Sequence, residues 1–188
     1  MLLRLIGAAG IFYFAMAPHA FRAAEPDGAR VAAIAPAEKE NAFRGVPFGT
    51  PLAEVQKKWE LEPLDEAGPP GDPLKLFIRN DETKSIGNIA LQEIVYYFFD
   101  GKFYAVQICA PDSRQTEILR QALDIAFGGR PDASREGDSY VWPGKSASAQ
   151  LIVNPGTGEG RALIFNNDLQ ADYEKYSLGA AKKAASEF

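Results

Sequence analysis

The residue types that run most enzyme chemistry are nearly missing from this chain. Among its 188 residues stand one cysteine, Cys109, and one histidine, His19. One cysteine excludes an intrachain disulfide framework and every metal site that needs several thiolates. His19 lies in a stretch argued below to be removed, and without it histidine triads, histidine general bases and histidine metal ligation are closed to the working protein. Cys109 ends the run Val106-Gln107-Ile108-Cys109, a predicted strand, where a buried inert thiol is the expected state.

The 25 acidic residues offer more material. Two carboxylates serve as acid and base in sugar hydrolysis, a chemistry that tolerates the absence of histidine. A carboxylate-dependent hydrolase of envelope polymers is therefore the alternative reading, although no spacing pairs any two of these acids. Asp81 with Glu82, or Asp65 with Glu66, would suit calcium only with help from backbone carbonyls, and neither fits an EF-hand spacing; solvated loop charge is expected. Asn154-Pro155-Gly156-Thr157-Gly158-Glu159-Gly160 resembles a phosphate cradle but lacks the Gly-Lys-Ser/Thr ending and the helix behind it. Arg161 opens a strand instead, so a hairpin loop is predicted. Ser146 beside Lys145 fails as a catalytic pair because strand neighbours point to opposite faces. No catalytic, metal-binding or cofactor-binding residue is assigned, and no cofactor is expected. The aromatic residues compete better. Tyr96, Tyr97, Tyr104 and Trp142 are the candidate contacts for a protein or cell-envelope component, since aromatics dominate binding hot spots and a tyrosine hydroxyl prefers a wet end.

The chain that must position them begins with an address label. Residues 1–4 carry Arg4, residues 5–17 are apolar and uncharged, and Pro18-His19-Ala20 follow. A basic start, a short apolar run and a small-residue exit describe a secretory signal peptide, which places the protein in the periplasm or outside the cell. The run is too short to span a membrane comfortably, and retention as an anchor is the rival fate. Ala15-Met16-Ala17 has the A-x-A form but is followed by Pro18, so the cut is placed after Ala20. Its removal takes away Arg4 and no acid, moving the formal net charge from −5 to −6. That balance excludes a nucleic-acid partner, which needs a clustered positive surface. Residues 21–42 are rich in Ala, Glu and Pro and read as a flexible linker. Residues 178–188 read as a disordered or frayed tail, leaving one domain over 43–177.

Within the domain, Thr50 is placed as an N-cap with Pro51 at the first helical position, and Leu52, Val55 and Trp59 form one apolar stripe. Residues 60–73 are a Pro/Gly-rich loop, 74–78 a strand and 80–88 a polar connection. Asp100-Gly101 between two β-rich runs predicts a two-residue hairpin, with Phe99 opposite Lys102. Strict alternation then puts Val95, Tyr97, Phe99, Tyr104, Val106 and Ile108 on one face and Ile94, Tyr96, Phe98, Phe103 and Ala105 on the other. Asp112 and Gln115 suggest a capping box before a helix that Gly128-Gly129 stops. Three antiparallel strands at 139–142, 149–153 and 161–165 and a short helix at 168–176 complete the domain. The predicted class is α+β: two helix-then-antiparallel-strands units, with helices packed on one face of an antiparallel sheet.

Three pieces of this punctuation resemble a known group. Gly45-Val46-Pro47-Phe48-Gly49-Thr50-Pro51-Leu52, the Tyr96-to-Phe103 hairpin with its Asp-Gly turn, and Phe127-Gly128-Gly129-Arg130-Pro131 are similar to small bacterial periplasmic proteins that share the fold of the β-lactamase inhibitor protein and of small outer-membrane assembly lipoproteins. The resemblance spans most of residues 43–166. It implies helices on an antiparallel sheet and action by binding rather than catalysis. The lipid-attachment cysteine of the lipoprotein members is absent here.

Overall fold

The computed structural model describes residues 41–64, 71–129, 131–133 and 138–186. The signal peptide, nearly all of the linker, His19 and the Asp65–Glu66 pair lie outside the described residues. The chain enters through a small hairpin, β1 (Ala42–Phe43) with β2 (Val46–Pro47). Helix α1 (Leu52–Val55) follows, then β3 (Leu61–Pro63) and β4 (Leu74–Arg79). A second small hairpin, β5 (Ser85–Ile86) with β6 (Ile89–Ala90), stands where only a polar connection was expected. The long strands β7 (Glu93–Phe99) and β8 (Lys102–Ala110) come next. Helix α2 (Ser113–Phe127) leads to β9 (Asp132–Ala133), β10 (Ser139–Trp142), β11 (Ala147–Val153) and β12 (Gly160–Asn166), and α3 (Asn167–Ala185) ends the described chain.

Eight of these strands form one antiparallel sheet in the order β3-β4-β7-β8-β12-β11-β10-β9. The hairpins β7–β8 and β11–β12 meet where β8 pairs with β12, Ile108 opposite Ala162 and Val106 opposite Ile164. The Asp-Gly turn is as read from the sequence, with φ of 48° at Asp100 and 70° at Gly101. Phe99 faces Lys102 and Phe98 faces Phe103. One step further the register slips: Tyr97 faces Ala105, leaving Tyr104 as an extra residue on β8. This bulge corrects the predicted faces, because an inserted residue flips every side chain beyond it. Val106 and Ile108 join Ile94, Tyr96, Phe98 and Phe103 on one face, while Tyr104 and Ala105 share the other with Tyr97 and Phe99.

The first of these faces is the main core. Val55 and Trp59 from the α1 region, Leu119 and Leu123 from α2, and Phe43, Val46 and Phe48 from the entry hairpin bury it. Its rings interlock, with Phe48 and Phe103 centroids at 4.8 Å, Trp59 and Tyr96 at 5.0 Å, and Phe77 and Phe98 edge-on at 5.3 Å. Helix α2 is capped as expected, Asp112 accepting from the Gln115 N–H at 2.9 Å. The reciprocal half of the box is spent elsewhere, since the Gln115 side chain accepts from the Ala90 N–H and ties α2 to β6. Thr50 is not the cap of α1. Pro51 holds that position, and the Thr50 hydroxyl turns back to the Pro47 carbonyl at 2.7 Å.

Two expectations about α3 are corrected. It packs on the opposite face of the sheet from α2, placing Leu169 and Tyr173 against Phe99, Tyr104 and Ala105, so the helices do not share one face. It also runs through the predicted tail to Ala185, because Ala and Lys are strong helix formers. Its start is fixed by Asn166, which accepts from the Leu169 N–H at 3.0 Å and lies at the end of β12 with no intervening loop.

Candidate functional site

The α3 side of the sheet, called here the second face, is where side chains remain within reach of solvent. Registers and alternation place two rows across it. One runs Leu76, Tyr97, Ala105, Phe165, Ser148 and the next Val95, Gln107, Leu163, Gln150, Val141. Tyr97, Gln107, Leu163, Gln150 and Val141 are half-buried, whereas most of the first face is buried and Tyr140, Val153 and Ile164 partly so. Polar groups are linked along it. The Tyr97 hydroxyl donates to Gln107 Oε1 at 3.1 Å, and Gln107 Nε2 reaches Cys109 Sγ at 3.5 Å. Burial pushes the Tyr97 hydroxyl up to about 12 and also raises the Cys109 thiol, which therefore stays protonated and buried as expected.

Of the four aromatic candidates, only Tyr97 lies on this face with part of its ring accessible. Tyr96 is fully buried on the first face, packed on Trp59, with its hydroxyl donating to Glu82 at 2.5 Å. Trp142 is 2% exposed on the same side, its indole N–H donating to Asp124 of α2 at 2.9 Å. Tyr104 is on the second face but 3% exposed beneath α3, its hydroxyl bonded to Gln170. Desolvation drives both tyrosine hydroxyls, Tyr96 and Tyr104, well above the ordinary value. Three of the four are thus core residues in this conformation. Sequence reading could not separate them, because every strand near the hairpin is apolar on both sides. The alternation of Ser148, Gln150 and Ile152 with Ala147, Ala149 and Leu151 was the available sign of a half-wet face on β11.

The charged clusters do structural work. The Glu82 side chain, 3% exposed, pairs with Arg44 and lies 3.7 Å from Arg79. Arg44 also donates to the Ser85 carbonyl, and Arg79 stacks on Trp59 at 4.8 Å while holding Asp81 below its ordinary value. This network fastens the entry hairpin to the rim of the sheet. Glu82 is therefore a buried partner of arginines rather than solvated loop charge, while Asp81 is an exposed loop charge paired with Arg79. The glycine-rich loop is a hairpin turn between β11 and β12, as predicted. Its glycines are there for contact: a Cβ on Gly160 would fall 2.6 Å from Thr116, and one on Gly158 2.7 Å from Ser113. The loop lies against the first turn of α2, where the Thr116 hydroxyl donates to the Gly158 carbonyl at 2.9 Å. Among the described residues no three His, Cys, Asp or Glu side chains gather as a metal site, and no helix is long and apolar enough to cross a membrane. Comparison with protein-family models, with curated proteins and with solved structures gives no match.

Proposed function

We propose that the chain is an exported, non-enzymatic binding domain that engages a protein or cell-envelope component through the second face of its sheet. The observation that supports this is the uneven covering of the sheet. One face is largely covered by α1, α2 and the entry hairpin, whereas the other keeps half-buried side chains beside α3, Tyr97 in one row and Gln107, Leu163, Gln150 and Val141 in the next. Apolar side chains alternating with amides suit a protein contact, where an apolar centre is ringed by hydrogen-bonding groups. Export and signal-peptide removal belong to the same proposal and rest on residues 1–20. So does the division into two helix-then-strands units, α1 before β3, β4, β7 and β8, and α2 before β9 to β12. The sheet order, with two four-stranded halves joined at β8 and β12, fits that division.

The test is site-specific photocrosslinking in the native cell. A benzophenone residue replaces Tyr97 in one strain and Ile125 in another, Ile125 being 82% exposed on α2, far from the second face. A discrete adduct from position 97 and none from 125 is the expected result. Adducts of equal yield at both positions, or at 125 alone, would remove the second face as the binding surface.

A further inference from the structure

Helix α3 occupies the binding face proposed above, and it does so in a particular way. Leu169, Tyr173 and Tyr176, spaced i, i+4 and i+7, form its contact stripe. The Tyr173 ring meets Phe99 edge-on at 5.6 Å and Tyr104 at 5.7 Å, and Tyr176 meets Phe99 at 5.9 Å. Gln170, one position along from Leu169, accepts from the buried Tyr104 hydroxyl and donates to Glu174 at 2.7 Å. Yet Gln170 is the one buried residue in a helix that runs from Asn167 to Ala185. Contrast α2, which buries Thr116, Leu119 and Leu123 in 15 residues. Beyond its first residue, where Asn167 Nδ2 donates to the Gly144 and Lys145 carbonyls, a short apolar stripe plus one buried amide is a light attachment for a helix of this length, since helices in proteins are held chiefly by an apolar face.

We infer that the second face is a seat for an amphipathic helix, that α3 is its displaceable intramolecular occupant, and that the partner is a helix carrying apolar or aromatic side chains at i, i+4 and i+7 with an amide at i+1. This rests on the reading of the second face as the binding surface. Docking of such a helix in a groove is an established recognition mode, read from anchors at this spacing. The seat is continuous with the half-buried side chains, since Tyr97 packs on the same Phe99–Tyr104–Ala105 cluster that α3 covers. An incoming helix anchored at Tyr97 and Leu163 gains Phe99 and Tyr104 when α3 leaves. Its apparent affinity is reduced by the fraction of molecules in which α3 is still seated.

The probe is a labelled synthetic peptide of residues 166–186. Against the full chain it is expected to bind weakly, because the seat is filled. Against full-length Tyr173→Ala/Tyr176→Ala, whose own helix is loosened, it should bind about tenfold tighter or more. A control peptide with Leu169, Tyr173 and Tyr176 replaced by Ala should not bind either protein. Hydrogen exchange of the wild-type chain supplies the second readout, with α3 amides expected to exchange about 100-fold faster than those of β8. The same measurement on the double variant, with β8 still protected, shows that its sheet is folded. Equal probe binding by both proteins, or a common exchange rate for α3 and β8, overturns the inference. Position-97 crosslinking failing while the probe binds would overturn the partner reading and leave the seat in place, so the two failures are distinguishable.

Discussion

Gly160→Ala is the substitution whose cost can be worked most directly from the geometry. Gly160 opens β12 in a strand conformation without positive φ, so an alanine there carries no backbone strain. What it meets is α2. The added Cβ would stand 2.6 Å from both Thr116 Cγ2 and Oγ1 and 3.0 Å from Thr116 Cβ. Real Cβ contacts rarely come within 3.4 Å, so α2 or the strand has to move. Overpacking of this kind costs roughly 1–3 kcal/mol. If Thr116 rotates away to make room, its bond to the Gly158 carbonyl is lost as well, adding about 0.5–1.5 kcal/mol. The expected loss is about 2–4 kcal/mol, a fall in Tm of about 8–16 °C at roughly 4 °C per kcal/mol for a domain of this size. Urea denaturation followed by circular dichroism gives the free energy, with m unchanged. Gly129→Ala, at a glycine with no neighbour within 4 Å and no positive φ, is the control and should stay within about 0.5 kcal/mol of wild type. Thr116→Ala removes the two closest atoms, so the double variant Gly160→Ala/Thr116→Ala should be more stable than the sum of the single losses by about 1 kcal/mol. A Gly160→Ala protein as stable as the control, or strict additivity in the double variant, would refute the close packing of the loop on α2.

Three further outcomes follow from the buried polar groups. Glu82→Gln keeps the shape of the side chain but leaves Arg44 and Arg79, 26% and 11% exposed, without their shared charge; partial solvation of Arg44 places the loss at about 2–3 kcal/mol in urea, below the roughly 3–5 kcal/mol of a fully buried pair, and a loss under about 0.5 kcal/mol would show that the cluster is not a fastening. Tyr97, Tyr96 and Tyr104 all have folded-state values raised above the unfolded value of 10, Tyr97 to about 12. Their contribution is therefore fully present below pH 10 and is lost as pH rises from 10 through 12 and beyond, at about 1.4 kcal/mol per pH unit for each tyrosine still protonated when folded. The difference in absorbance at 295 nm between wild type and each of Tyr96→Phe, Tyr97→Phe and Tyr104→Phe should show these three ionising together with unfolding, and a reversible titration near 10 assigned to any of them in the folded protein would contradict its burial. Cys109 is buried with a raised thiol value, so Ellman's reagent at pH 8 should modify the folded protein at least about 100-fold more slowly than the denatured chain; fast modification of the folded protein would place the thiol at the surface.

What the sequence specified well were features governed by local chemistry. The Asp100-Gly101 turn, the Asp112 cap and the Gly128 stop each depend on a handful of neighbouring residues, and each stands where that chemistry puts it. The candidate site was less legible because it depends on which side of a sheet a residue faces, and that is a sum over register. Alternation from the turn assigned Tyr104, Val106 and Ile108 to one face together. One extra residue at Tyr104 separates them and sends Val106 and Ile108 into the main core. No residue type marks this bulge in advance, since Tyr104 is neither a glycine nor otherwise unusual in a strand. Strands β3, β5, β6 and β9 escaped for a different reason: at two or three residues each they are defined by partners rather than by their own pattern. The same dependence explains α3. Its Ala-Lys half forms helix by propensity, but its position over Phe99 and Tyr104 follows from β12 ending at Asn166 with no loop to carry the chain elsewhere. A helix launched from a strand end must lie across one face of that strand's sheet. The first face was already filled by α2, so the second was the one left to cover. The aromatic surface that composition suggested as a partner's is in part α3's own, because Tyr173 lies on Phe99 and Tyr104.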